Sequence, residues 1–119
     1  MTGDPLTLQP TVEVRSPQPH AALIVLGGEH DLYSADQLRQ TIEMSLSGCD
    51  HLLVDLSAVE FIDSTIIGVL VQTMKKASGL GRRFSVVLGT APVVERALDV
   101  SGVLPLLNVE PTVERALAA

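Results

Sequence analysis

Asp63, Ser64 and Thr65 are three polar residues set between two apolar blocks. Before them runs Leu52-Leu53-Val54-Asp55-Leu56 and then Phe61-Ile62; after them comes Ile66-Ile67-Gly68-Val69-Leu70-Val71. The first block reads as a strand and the second opens a helix, so the polar triplet falls where one hands over to the other. A helix start offers unpaired backbone N–H groups and a partial positive charge. A hydroxyl placed there can carry a phosphate at low electrostatic cost. Ser64 is therefore a candidate phosphoryl acceptor, and equally a plain N-cap, a role that Ser and Asp both favour. Asp63 could be that cap instead, which would leave the Ser64 hydroxyl at the first helical position, free to solvent. A phosphate would add about −1.5 to −2 charge near Asp63 and Asp31. An acidic partner, or one packed against the neutral serine, would be repelled. Thr65 is a second hydroxyl at the turn, β-branched and less easily presented, and reads as a helix-start residue. Gly68 costs ~1 kcal/mol relative to Ala inside a helix, so it marks a close approach, either of a neighbouring element or of a partner.

Other constellations carry less. Glu29-His30-Asp31 follows Gly27-Gly28, and a carboxylate–imidazole group invites acid–base or metal chemistry. His20 and His51 have no ligand-like spacing to it, so it reads as a polar loop with Asp31 as a binding residue. Asp55 lacks the paired acids and lysine of a phosphoacceptor site. Ile62-Asp63-Ser64-Thr65-Ile66 lacks the glycines of a nucleophile elbow, and neither Gly27-Gly28 nor Gly79-Leu80-Gly81 has the spacing and lysine of a phosphate loop. We expect no catalytic residues, no metal site and no cofactor.

The frame around the triplet reads as alternating strands and helices. Thr11 to Arg15 and Ala21 to Leu26 form an N-terminal hairpin, the second strand ended by Gly27-Gly28. Ser34-Ala35-Asp36-Gln37 reads as a capping box, and Ala35, Leu38, Ile42 and Leu46 then share one helical face ended by Gly48. His51 to Leu56 is a third strand, Ser64 to Ala77 a second helix stopped at Gly79, and Phe84 to Leu88 a fourth strand. Pro92 to Leu98 and Pro111 to Leu117 are short helices opened by proline, matching at six of seven positions. Their flanks do not repeat, so similar helix-start chemistry explains the match better than duplication. Leu104 to Val109 reads as a last short strand. The fold class is α/β, a single domain over 11–119 after a flexible leader over 1–10. It has a mostly parallel, mixed sheet of four to five strands flanked by about four helices. The loops Gly27–Leu32, Glu60–Ser64 and Gly89–Pro92 lie beyond the strands' C-terminal ends, where function gathers in such sheets.

Composition sets bounds on partners. In 119 residues, 46% are apolar and only 3% aromatic, so the core must be Val, Leu, Ile and Ala, which suits buried parallel strands. A net charge of −6 argues against a nucleic-acid partner. The local basic cluster Lys75, Lys76, Arg82, Arg83 reads as a helix C-terminus and solvated turn, or as a partner contact. The single Cys49 excludes an internal disulfide. No signal peptide and no apolar run of membrane-spanning length is seen, so the expected location is cytoplasmic.

The chain resembles the bacterial anti-sigma factor antagonists of the STAS domain family. The resemblance rests on Val54-Asp55-Leu56-Ser57 leading into Phe61-Ile62-Asp63-Ser64-Thr65 and Gly68-Val69-Leu70. Gly28-Glu29-His30-Asp31 is similar to the family's Gly-Glu-Leu/Ile-Asp turn, and Ala97-Leu98-Asp99-Val100-Ser101-Gly102-Val103 adds to it. The resemblance implies a non-enzymatic regulator. Ser64 would be the serine phosphorylated by an anti-sigma factor that is also a serine kinase. The dephosphorylated antagonist binds that kinase and frees a sigma factor; a serine phosphatase resets the switch. Asp31, Asp63, Ser64, Thr65 and Gly68 would form the partner-binding face. The family commonly has glycine two residues after the serine, where this chain has Ile66, whose side chain would narrow access for the kinase or pack inward. A scaffold subunit of a signalling assembly and a nucleotide or small-molecule sensor are the alternatives, and a homodimer is left open.

Overall fold

The computed structural model describes residues 9–118. Residues 1–8 of the expected leader lie outside the described residues. The elements run β1 (Thr11–Arg15), β2 (Ala21–His30), α1 (Leu32–Leu46), β3 (His51–Ile62), α2 (Ser64–Gly79), β4 (Arg83–Val87), α3 (Pro92–Val100), β5 (Val109–Glu110) and α4 (Val113–Ala118), with a 3-10 turn at Leu104–Leu106 before β5. The sheet order is β1-β2-β3-β4-β5. β1 pairs antiparallel with β2, and the remaining pairings are parallel. This is the mixed α/β sheet with an N-terminal hairpin that the sequence predicts.

Strand alternation sorts side chains to two faces. Ile24, Leu26, Leu52, Val54, Leu56, Val86 and Leu88 point to one core, where they meet Ala35, Leu38, Ile42 and Leu46 of α1, Ile66 and Leu70 of α2, and Val94 and Leu98 of α3. Leu23, Leu53 and Val87 point the other way and are covered by Ala116 of α4. The described residues thus form a sheet with three helices on one face and one short helix on the other.

Three expected boundaries move. β2 does not stop at Gly27-Gly28 but continues to His30, because β3 runs on past Leu56 and pairs with it. The glycines sit at bulges, with register shifts between Val25 and Gly27 and between Gly28 and Glu29. Gly28 has φ 79°, and a Cβ on Gly27 would lie 2.7 Å from Thr11 Oγ1, so both positions need the missing side chain. The capping box is Asp31 with Ser34, not Ser34 with Gln37, since α1 starts three residues earlier than read. The strand expected over Leu104 to Val109 is a 3-10 turn followed by β5, which pairs Val109 and Glu110 with Val86 and Val87. Pro105 supplies no N–H to a sheet ladder, which favours the turn.

Candidate functional site

Asp63 has extended backbone (φ −104°, ψ 178°) and caps α2: its Oδ1 accepts from Thr65 N at 3.0 Å and from Ile66 N at 3.2 Å. The two readings of this turn are thereby separated. Ser64 is the first helical residue and exposed, and its hydroxyl makes no hydrogen bond to the described residues. The hydroxyl stands at the positive end of a sixteen-residue helix with nothing to release before it can react or be covered.

The other Asp63 oxygen, Oδ2, accepts the Leu32 amide at 3.1 Å. One carboxylate therefore serves the starts of both α1 and α2. The Asp63 amide donates back to the His30 carbonyl at 3.3 Å. Asp31, half-buried, caps α1 by accepting from Tyr33 N at 2.9 Å, and its own amide donates to Ser34 Oγ at 3.2 Å. Asp31, Asp63 and Ser64 are so brought to one end of the sheet. Leu32 (61% exposed), Tyr33 (91%) and Phe61 (45%) stand beside them and give this acidic face apolar contact area. The Gly89–Pro92 loop lies elsewhere, with Gly89 against Ser57 and donating to the Pro111 carbonyl.

Thr65 and Gly68 are half-buried, and Gly68 follows Ser64 by one helical turn on the same side. A Cβ on Gly68 would meet nothing within 4 Å. The expected close approach is therefore not to a neighbouring element among the described residues. Ile66 is fully buried in the main core, so it points away from the Ser64 hydroxyl and leaves it open.

His30 is the residue that sequence reasoning misplaced. Read as part of a polar loop, it is fully buried at the end of β2. Its Nε2 lies 3.0 Å from the Gly27 carbonyl and 3.2 Å from that of Thr11; its Nδ1 lies 3.1 Å from Ser34 Oγ. Burial holds its pKa below the usual imidazole range, against the two carbonyls and the Asp31 carboxylate, which pull it up. The Gly-Gly pair masked the continuing strand and with it the signal for a buried histidine.

His51 lies at the opposite end of the sheet, buried and 2.8 Å from Ser85 Oγ, with its pKa lowered by burial and by Arg83. Among the described residues no group of three His, Cys, Asp or Glu side chains converges as a metal-holding set. An open cavity of about 600 Å³, lined by Val14, Arg15, His20, Met44 and Cys49 among others, is also at that far end, away from Asp31 and Ser64. Burial raises the Cys49 pKa, which keeps the thiol protonated and unreactive. No helix of the described residues is long and apolar enough to cross a membrane.

Comparison with known proteins places these features in context. The STAS domain profile matches residues 11–116. An anti-sigma F factor antagonist of Paenibacillus polymyxa is 27% identical over 89 residues, spanning 73% of this chain and 75% of that protein. The crystal structure of an anti-sigma factor antagonist from Mycobacterium paratuberculosis superposes with a TM-score of 0.83 at 29% identity, covering 92% of each chain. SpoIIAA in its unphosphorylated form shares the fold, with a TM-score of 0.74 at 21% identity over 90% of this chain and 93% of that one.

Proposed function

The chain belongs to the STAS domain family, and we propose that it is an anti-sigma factor antagonist switched by phosphorylation of Ser64. Unphosphorylated, it binds an anti-sigma factor serine kinase and so releases a sigma factor. The kinase phosphorylates Ser64 and the complex dissociates; a serine phosphatase restores the hydroxyl. The protein works as a cytoplasmic regulatory binding protein rather than as an enzyme, its partner face built from Asp31, Asp63, Ser64, Thr65 and Gly68.

The observation that carries this reading is the division of labour at the α2 start. Asp63 takes the capping role, so the Ser64 hydroxyl is exposed and unengaged among the described residues. Catalysis on Ser64 is assigned to the partner, because no general base among the described residues contacts that hydroxyl. The consequence of modification follows from charge. Asp63 is held by three amide donors and cannot swing away, so a phosphoryl group adds about −1.5 to −2 charge beside a fixed carboxylate. A partner surface packed on the neutral serine would then have to bury an unpaired charge. The similarity to the Paenibacillus polymyxa anti-sigma F factor antagonist supports the antagonist part of this reading.

Phosphosite mapping after incubation with the kinase and ATP tests it. Ser64 is the expected site, and Ser64→Ala is expected to abolish incorporation. Phosphate on Thr65 alone, or incorporation unchanged in Ser64→Ala, would overturn the assignment.

A further inference from the structure

His30 connects three elements through one buried side chain. Carbonyls only accept, so the contacts to Thr11 O and Gly27 O fix the proton on Nε2. Neutral imidazole then leaves Nδ1 bare at 3.1 Å from Ser34 Oγ, whose single proton is shared between that nitrogen and the Asp31 carbonyl, also at 3.1 Å. The ring thus links edge strand β1, the β2 bulge and the first turn of α1. Its backbone carbonyl receives the Asp63 amide, so the same residue touches the α2 cap. An aliphatic side chain here would fill the volume but leave the Thr11 and Gly27 carbonyls without their donor and the Ser34 hydroxyl without one acceptor.

We infer that His30 is a positioning residue for the partner-binding face, holding Asp31 and the Leu32–Tyr33 turn against β1 and the α2 cap, and that acid weakens partner binding through it. The inference rests on the antagonist reading for its partner and on geometry for its mechanism. A fully buried ring gains a proton where the start of α1 lifts and lets water reach it. Acid therefore populates a face in which Asp31 and Tyr33 are displaced. The charged groups around the ring are few. Asp31, next in the chain, acts on it directly. β1 and the bulge present neutral carbonyls and α1 a neutral hydroxyl, while the Asp63 carboxylate is taken up by the Leu32, Thr65 and Ile66 amides. β3 pairs Ile62, an apolar residue, with His30.

The test compares the full chain with His30→Gln, whose amide keeps an N–H donor but does not titrate. Two readouts are taken between about pH 8 and about pH 5.5, the range in which histidine switches. One is the amide-exchange protection factor at Leu32 and Tyr33 in the free protein; the other is the Kd for the anti-sigma factor kinase. In the wild-type chain, protection is expected to fall by about tenfold across that range and Kd to rise with it as the closed fraction shrinks, and both to stay flat in His30→Gln. A flat wild-type profile, or an equal slope in His30→Gln, overturns the inference. So does a change in protection that leaves Kd unmoved, because the role would then be structural only. If His30→Gln does not fold, the wild-type profiles decide alone: parallel slopes support the inference and flat ones overturn it. If the wild-type chain binds no kinase at any pH, the antagonist reading fails, and the exchange profile still decides whether His30 holds the α1 start.

Discussion

The Asp63 carboxylate and the Leu32 amide are joined at 3.1 Å, which ties the start of α1 to the start of α2 through a single side chain. The same carboxylate caps α2 through Thr65 and Ile66. Two helix starts therefore share one anchor directly beside the Ser64 hydroxyl.

Removing that anchor should cost more than an ordinary cap. Asp63→Ala is expected to destabilise the chain by about 2 kcal/mol, the upper end for loss of a cap, because Leu32 loses its acceptor as well. Asp63→Ser, which can cap α2 but has no second oxygen for Leu32, should fall between the two. Urea unfolding midpoints at constant m-value check the order.

Gly68 separates stability from recognition. With nothing within 4 Å of an added Cβ, Gly68→Ala should stabilise the free protein, by up to ~1 kcal/mol from helix propensity. If the partner approaches the backbone here, the same change weakens kinase binding. Thermal unfolding and a binding titration on one sample read both signs.

Ile66 is a core residue, not a gate. Ile66→Ala should cost about 2–5 kcal/mol through cavity formation, as for other fully buried aliphatic side chains. The rate of Ser64 phosphorylation by the kinase, measured well below the unfolding transition, should be unchanged.

Stability should fall as pH drops through the histidine range. His30 and His51 are buried with pKa values held below the ordinary value of about 6.5. The unfolded chain therefore takes up protons first, and unfolding is favoured as pH falls below about 6.5 until each folded-state pKa is passed. Above that window the contribution is fully present. Denaturant midpoints from neutral to mildly acidic pH check this, and replacing both histidines with non-titrating residues should flatten the profile.

The parts of the fold legible in the sequence were those with strong periodicity. The α1 stripe Ala35, Leu38, Ile42, Leu46 is buried as read, and the polar triplet does lie at a strand-to-helix passage. Legibility failed where pairing overrode local signals. Gly27-Gly28 reads as a stop, yet β3 continues alongside and carries it through as bulged strand. That hid the burial of His30 and moved the α1 cap from Ser34 to Asp31. At the site itself, local chemistry left Ser64 and Asp63 as rival caps. The structure makes the choice through Asp63 Oδ1, which accepts from Thr65 N and Ile66 N, while the same carboxylate's bond to Leu32, thirty-one residues away in sequence, is a tie that no local pattern carries.

The most direct measurement is the Kd of the anti-sigma factor kinase for four forms of the chain: wild type, Ser64→Ala, Ser64→Asp and the stoichiometrically phosphorylated protein. Wild type and Ser64→Ala should bind alike, while Ser64→Asp and the phosphorylated form should bind at least about tenfold more weakly. Equal affinity for all four would contradict a switch at Ser64.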